Sequence, residues 1–165
     1  MQMRVRLGVA VFLIFVAGAV AQAGKPRTVH GAFAGQIVIS TSPLRPAGET
    51  EAEMIESIRA AHVQQITARD TDGEEASWSF YFTAFLDKQP RVSELALDVY
   101  AAEGDKRYIT SKRMMGIDPR LQILGSDMTL TEEDGVKAGA RYRMVLTGQV
   151  GNREVTFATA IVTMR

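Results

Sequence analysis

The sequence has no cysteine and only two histidines in 165 residues. The first absence excludes disulfide scaffolds, thiolate zinc sites, cysteine nucleophiles and an N-terminal lipidated cysteine. The second leaves His30 and His62 as the imidazole bases available to a Ser-His arrangement. No charge of either sign is in excess, since 19 Lys+Arg face 19 Asp+Glu. That balance argues against nucleic acid as a partner, because phosphate binding wants a basic patch. Nucleophile and phosphate motifs are missing as well: no G-x-S-x-G elbow, no S-x-x-K, no G-x-G-x-x-G and no P-loop occur. Aromatic residues are scarce at 7%, too few to line a sugar-stacking surface and also fill a core. What remains, 46% apolar and 23% charged, is the composition of an ordinary globular domain rather than a disordered chain.

The longest apolar run lies near the start. Arg4 and Arg6 precede the uncharged stretch Leu7 to Val20, and Ala21-Gln22-Ala23 stands before Gly24. The stretch falls short of the ~20 residues of a spanning helix. A basic n-region, a short apolar core and an A-x-A triplet predict a cleaved signal peptide over residues 1–23. The protein is therefore expected outside the cytoplasm, in the periplasm or the extracellular space, without stable membrane insertion after cleavage. Removing residues 1–23 takes two basic and no acidic groups, leaving 142 residues with a net charge of −2. That length suits one domain burying about two-thirds of its unfolded surface.

Residues 24–30 read as a polar linker, and 31–165 as a single domain. Phe33 to Ser40 reads as a first strand. Thr50 opens the one convincing helix, spanning 50–62: Glu53 completes a T-x-x-E capping box, and Met54, Ile55, Ile58 and Ala61 recur at helical spacing. Beyond Val63 the apolar period becomes two. Strands are expected at Val63–Arg69, Ser77–Leu86, Glu94–Ala101, Arg107–Ile117, Leu121–Leu130, Ala140–Val150 and Glu154–Met164, with Gly151-Asn152 as a hairpin turn. In the strongest of them Trp78, Phe80, Phe82, Ala84 and Leu86 share one face. About eight short strands at ten-residue spacing, without βαβ alternation, predict a mainly β protein, a sandwich or barrel of 7–8 antiparallel strands carrying one short helix.

Val136 to Met164 resembles the last two strands of a fibronectin type III or immunoglobulin-like module, a Gly-containing loop leading into a Tyr-x-apolar-x-apolar strand. The resemblance implies an immunoglobulin-like β-sandwich in which Tyr142 is a tyrosine corner, its hydroxyl returning to upstream backbone, and Trp78 a core tryptophan. The helix at 50–62 departs from that pattern. The chain also resembles small exported bacterial proteins carrying W-x-F-x-F-x-A-F-L-x-K-x-P, residues 78–90 here; that likeness implies no activity.

Candidate chemistry is thin. His30 falls in the linker, and His62 ends the helix, where an imidazole suits the negative end of the helix dipole. Asp70, Asp72 and Glu74 surround Gly73 like a fragment of a calcium loop, but Ala68 stands where a further acid is needed. A solvated hairpin turn explains them better. The acidic run Thr131 to Gly135 is read likewise. Tyr81 and Tyr100 point away from the core face and could stack on a sugar, although packing under the helix is favoured. Lys112, Arg113, Met114, Met115 and Arg120 place basic groups around adjacent soft apolar side chains. In a strand one Met would enter the core and the other face outward, making Lys112, Arg113, Met115 and Arg120 the candidate partner surface, with an edge strand guarded by charge as the competing explanation. The sequence thus favours an exported non-enzymatic binding or structural module of the cell envelope, engaging a protein partner without a cofactor. An exported hydrolase or calcium-dependent carbohydrate-binding protein is the alternative.

Overall fold

The computed structural model describes residues 28–69, 75–104 and 106–165. The segment expected to be a signal peptide, and Asp70, Asp72 and Glu74, expected in a turn or calcium loop, lie outside these residues. Thr28 caps a one-turn helix, α1 (Val29–Phe33), its hydroxyl accepting the Gly31 N–H. Val29 and His30, expected in the linker, therefore belong to a helical turn, and the first strand starts later than its apolar run. Gly35, at φ +78, turns the chain into β1 (Gln36–Ser40). The sequence signal missed this because a five-residue helix is too short to show a period.

Helix α2 (Glu51–Ala61) forms where expected, and both halves of the capping box are made. Glu53 Oε2 accepts the N–H groups of Glu49 and Thr50 at 2.8 and 3.0 Å, while Thr50 Oγ1 accepts the Glu53 N–H. These backbone bonds hold the Glu53 carboxyl below its ordinary value. The remaining strands are β2 (Gln65–Ile66), β3 (Ser77–Phe85), β4 (Glu94–Ala101), β5 (Tyr108–Met115), β6 (Ile123–Thr131), β7 (Arg141–Val150) and β8 (Arg153–Met164). Only Gln65 and Ile66 of the expected Val63–Arg69 strand pair with β8, and Arg69 adds a single bridge to Ser77.

The strands form one sheet in the order β5-β4-β7-β8-β1-β3-β6, with β2 extending β8. The sheet is mixed and curls into a half-barrel. This corrects the expected all-antiparallel arrangement: β1 and β2 both run parallel to β8. A single hydrogen-bonded path replaces the two sheets of a sandwich. The joint is slender, since Gln36 opposite Thr159 is the β1–β8 register pair. Alternation told which face of each strand is buried but could not tell which strand lies beside which.

Inside the curl lie Trp78, Phe80, Phe82, Ala84 and Leu86 with Leu95, Leu97, Val99, Tyr142, Met144 and Leu146, all buried as their alternation predicts. Trp78 Nε1 donates to the Arg165 carbonyl at 3.0 Å. The Tyr142 hydroxyl accepts the Lys137 N–H at 2.7 Å, the return to upstream backbone expected of a tyrosine corner. A second, smaller core sits on the other side of β1 and β3, where Val38 and Phe85 meet Phe33, Ile55 and Ile58 of the two helices. Phe33 and Phe85 stack at 5.1 Å. The helices thus cover the outer side of only one half of the sheet.

Candidate binding face

The outer side of β5, β4, β7 and β8 has no helix packed on it among the described residues. Strand parity and register decide what it displays. One row across it is Ser111, Asp98, Val145 and Thr159; the next is Arg113, Ala96, Thr147 and Thr156. Beyond them Met115 lies opposite Glu94, and Gln149 opposite Glu154. Short side chains floor the middle and longer polar ones stand at one end. There a cleft of about 510 Å³ opens, lined by Val92, Glu94, Ala96, Arg113, Gln149 and Glu154 among others.

Beside the cleft, Asp98 is buried to 8% exposure, and Thr147 to 4%. The Thr147 hydroxyl donates to Asp98 Oδ2 at 2.7 Å. A buried carboxylate normally recruits several donors, and among the described residues this one has a single side-chain donor. On the same strand, Tyr100 packs edge-on against Tyr108 at 5.7 Å. Its own burial, and next the negative charge of Asp98, push the Tyr100 phenol above its ordinary value. Tyr100 therefore stays a neutral hydrogen-bond donor throughout the physiological range. With a buried anion, two aromatic rings and a polar cleft, the face can offer both hydrogen bonds and apolar contact.

No protein family matches the chain, and no curated protein or solved structure is similar to it. The assignment of a site therefore rests on geometry.

The structure divides the residues singled out in the sequence. Arg113 and Met115 both lie on the outer face; Arg113 reaches Glu94 at 3.5 Å, and Met115 is 79% exposed. Met114 packs against the core, so one Met enters and one leaves as strand parity required. Lys112 points to the opposite side, where its Nζ meets Asp134 Oδ1 at 2.8 Å. Arg120 sits in the β5–β6 loop, its N–H donating to Asp118 Oδ1. Lys112 and Arg113 thus do not share a surface, because successive residues of a strand face opposite ways.

Tyr81 and Tyr100 both point away from the main core, but they stand on β3 and β4, which are not neighbours in the sheet. Tyr81 instead lines a separate cleft with Leu44, Thr83 and Asp127. His30 Nε2 donates to the Leu86 carbonyl at 2.8 Å, tying α1 to the end of β3. His62 is the C-cap of α2, but through its backbone N–H to the Ile58 carbonyl; its ring turns to β1 instead of the helix end, Nδ1 accepting the Ile39 N–H. Asp98, Thr147, Gln149 and Glu154 were not singled out in the sequence. The available signal was an acid at an outward position within the apolar strand Glu94–Ala101.

Proposed function

We propose that this is an exported, non-enzymatic binding module of the cell envelope, and that its partner docks on the outer side of β5, β4, β7 and β8. The observation that carries the reading is the Asp98–Thr147 pair. A buried carboxylate costs stability unless fully hydrogen-bonded, and this one stands on a sheet face with no helix packed on it among the described residues. A donor from a partner would complete its shell. The exposed Met115 side chain at the rim adapts readily to a varied apolar surface, and Arg113 and Glu94 offer charges of both signs. The signal-like segment 1–23 supports export.

The test is crosslinking in the native envelope with Arg113→Glu and Met115→Ser in one chain. Both positions are exposed, so each change should alter stability by no more than about 0.5 kcal/mol. The double variant should fold and lose the partner that the unaltered protein captures. Retained capture would reject this face.

A hydrolytic reading draws on Glu94 and Glu154, which line the same cleft. Both are exposed, whereas a glycosidase acid needs an apolar enclosure to stay protonated. The binding reading is preferred for that reason.

A further inference from the structure

At the other end of the same strands, β1 and β2 part company over β8. Thr159 sends its N–H to the Gly35 carbonyl at 3.0 Å, and Thr163 sends its N–H to Gln64 at 2.9 Å. Ile161, midway between them, faces the same edge, but neither β1 nor β2 pairs with it. A notch of about 370 Å³ opens there, lined by His62, Gln64, Gln65, Arg141, Ile161, Val162 and Thr163.

The chemistry of this lining is one-sided. Four side chains, Arg141, Gln64, Gln65 and Thr163, carry donors, and no carboxylate is among the lining residues. Arg141 makes no ion pair with any described acid. His62 adds a fifth donor by a constraint of the fold. Its Nδ1 accepts the Ile39 N–H at 3.2 Å, filling the place a strand would take beside β1. The ring proton is thereby fixed on Nε2, which is left as a donor. Ile161 itself, without a register partner on β1 or β2, leaves the edge open there. The carbonyl charge at the end of α2 is partly neutralised, because the His62 N–H already occupies the Ile58 and Arg59 carbonyls.

We propose that this notch binds an oxyanion, a carboxylate or phosphate group borne by a small molecule, with Arg141 as its principal counter-charge. A guanidinium presents a planar pair of N–H groups that matches either anion. The amides of Gln64 and Gln65 and the Thr163 hydroxyl complete the remaining lone pairs. The site does not depend on the cleft beside Ala96.

The test is titration of the folded protein with inorganic phosphate and, separately, with acetate, followed by amide NMR at low ionic strength. Phosphate, acetate or both should shift Ile161, Thr163 and Gln65, and the stronger of the two names the anion class. Arg141→Gln should weaken that binding about tenfold, the loss of one charge-assisted pair. Gln65→Ala should weaken it less. Arg143→Gln, an exposed arginine two residues along the same face and outside the notch lining, should leave it within about twofold. Absence of shifts with both anions would overturn the proposal. So would equal weakening by Arg143→Gln and Arg141→Gln, which would mean diffuse attraction to a basic strand and no site.

Discussion

Lys112 Nζ and Asp134 Oδ1 meet at 2.8 Å, joining edge strand β5 to the turn that leaves the other edge strand, β6. The half-barrel is open along this seam, and the ion pair is a polar clasp across it. Asp134 also accepts the Thr131 N–H at 3.0 Å, so the acidic turn expected at 131–135 is a fastening point.

The clasp predicts an acid-sensitive component of stability. Burial alone would raise the Asp134 carboxyl, but the hydrogen bonds from Lys112 and Thr131 outweigh it and lower the group from its ordinary 3.8. A lowered folded value means that the contribution is complete above the unfolded value. It is lost as pH falls through the lowered one. Urea melts from pH 5 downward should show a steeper acid limb for the unaltered protein than for Lys112→Met. At pH 7 that substitution should cost no more than about 1 kcal/mol, since the lysine is 38% exposed. Lys112→Glu should cost more, because it sets two carboxylates side by side.

Trp78 is fully buried and bonded to the Arg165 carbonyl. Trp78→Ala should therefore cost about 3–5 kcal/mol, a large part of a small domain's stability. Trp78→Phe should cost less than half of that, because the Ala68 N–H still occupies the same carbonyl. Equilibrium urea unfolding of the two variants checks the order.

Gly48 predicts a backbone effect at the start of α2. It adopts φ +133, and a Cβ there would run into Glu53 Cβ and approach the Glu53 and Met54 backbone at 3.1 Å. The close approach seats Glu53 under the Glu49 and Thr50 N–H groups. Gly48→Ala should cost more than Thr50→Ala, which forfeits one N-cap bond for about 1 kcal/mol. Melting temperatures of the pair decide it.

The proposed export makes a prediction of its own. Protein recovered from the periplasm or medium should begin at Gly24, as its N-terminal sequence would show; a start at Met1 in a membrane fraction would contradict it.

Much of this fold could be read from local pattern. The capping box of Thr50 and Glu53, the alternation from Trp78 to Leu86 and the Gly151-Asn152 turn are signals carried within a few residues. Glu94–Ala101 was placed to the residue. Long-range partnership could not be read: that β1 lies parallel to β8 depends on one register pair between residues 123 positions apart in the chain. The candidate face failed for the same reason. Arg113 and Met115 were legible as outward residues. Their company with Glu94, Thr147 and Glu154 exists only after β4, β5, β7 and β8 are side by side. The Ile161 notch is a mismatch between strands, and no single strand encodes it.

The measurement that most directly tests the binding role is site-specific photocrosslinking in the native envelope. A photoreactive residue is placed in turn at Met115 and Gln149 on the open face, and at Glu56 on α2 as the control. The account predicts one discrete adduct shared by the first two positions and absent from the third. Capture at Glu56 alone, equal capture at all three, or no adduct at Met115 and Gln149 would contradict it.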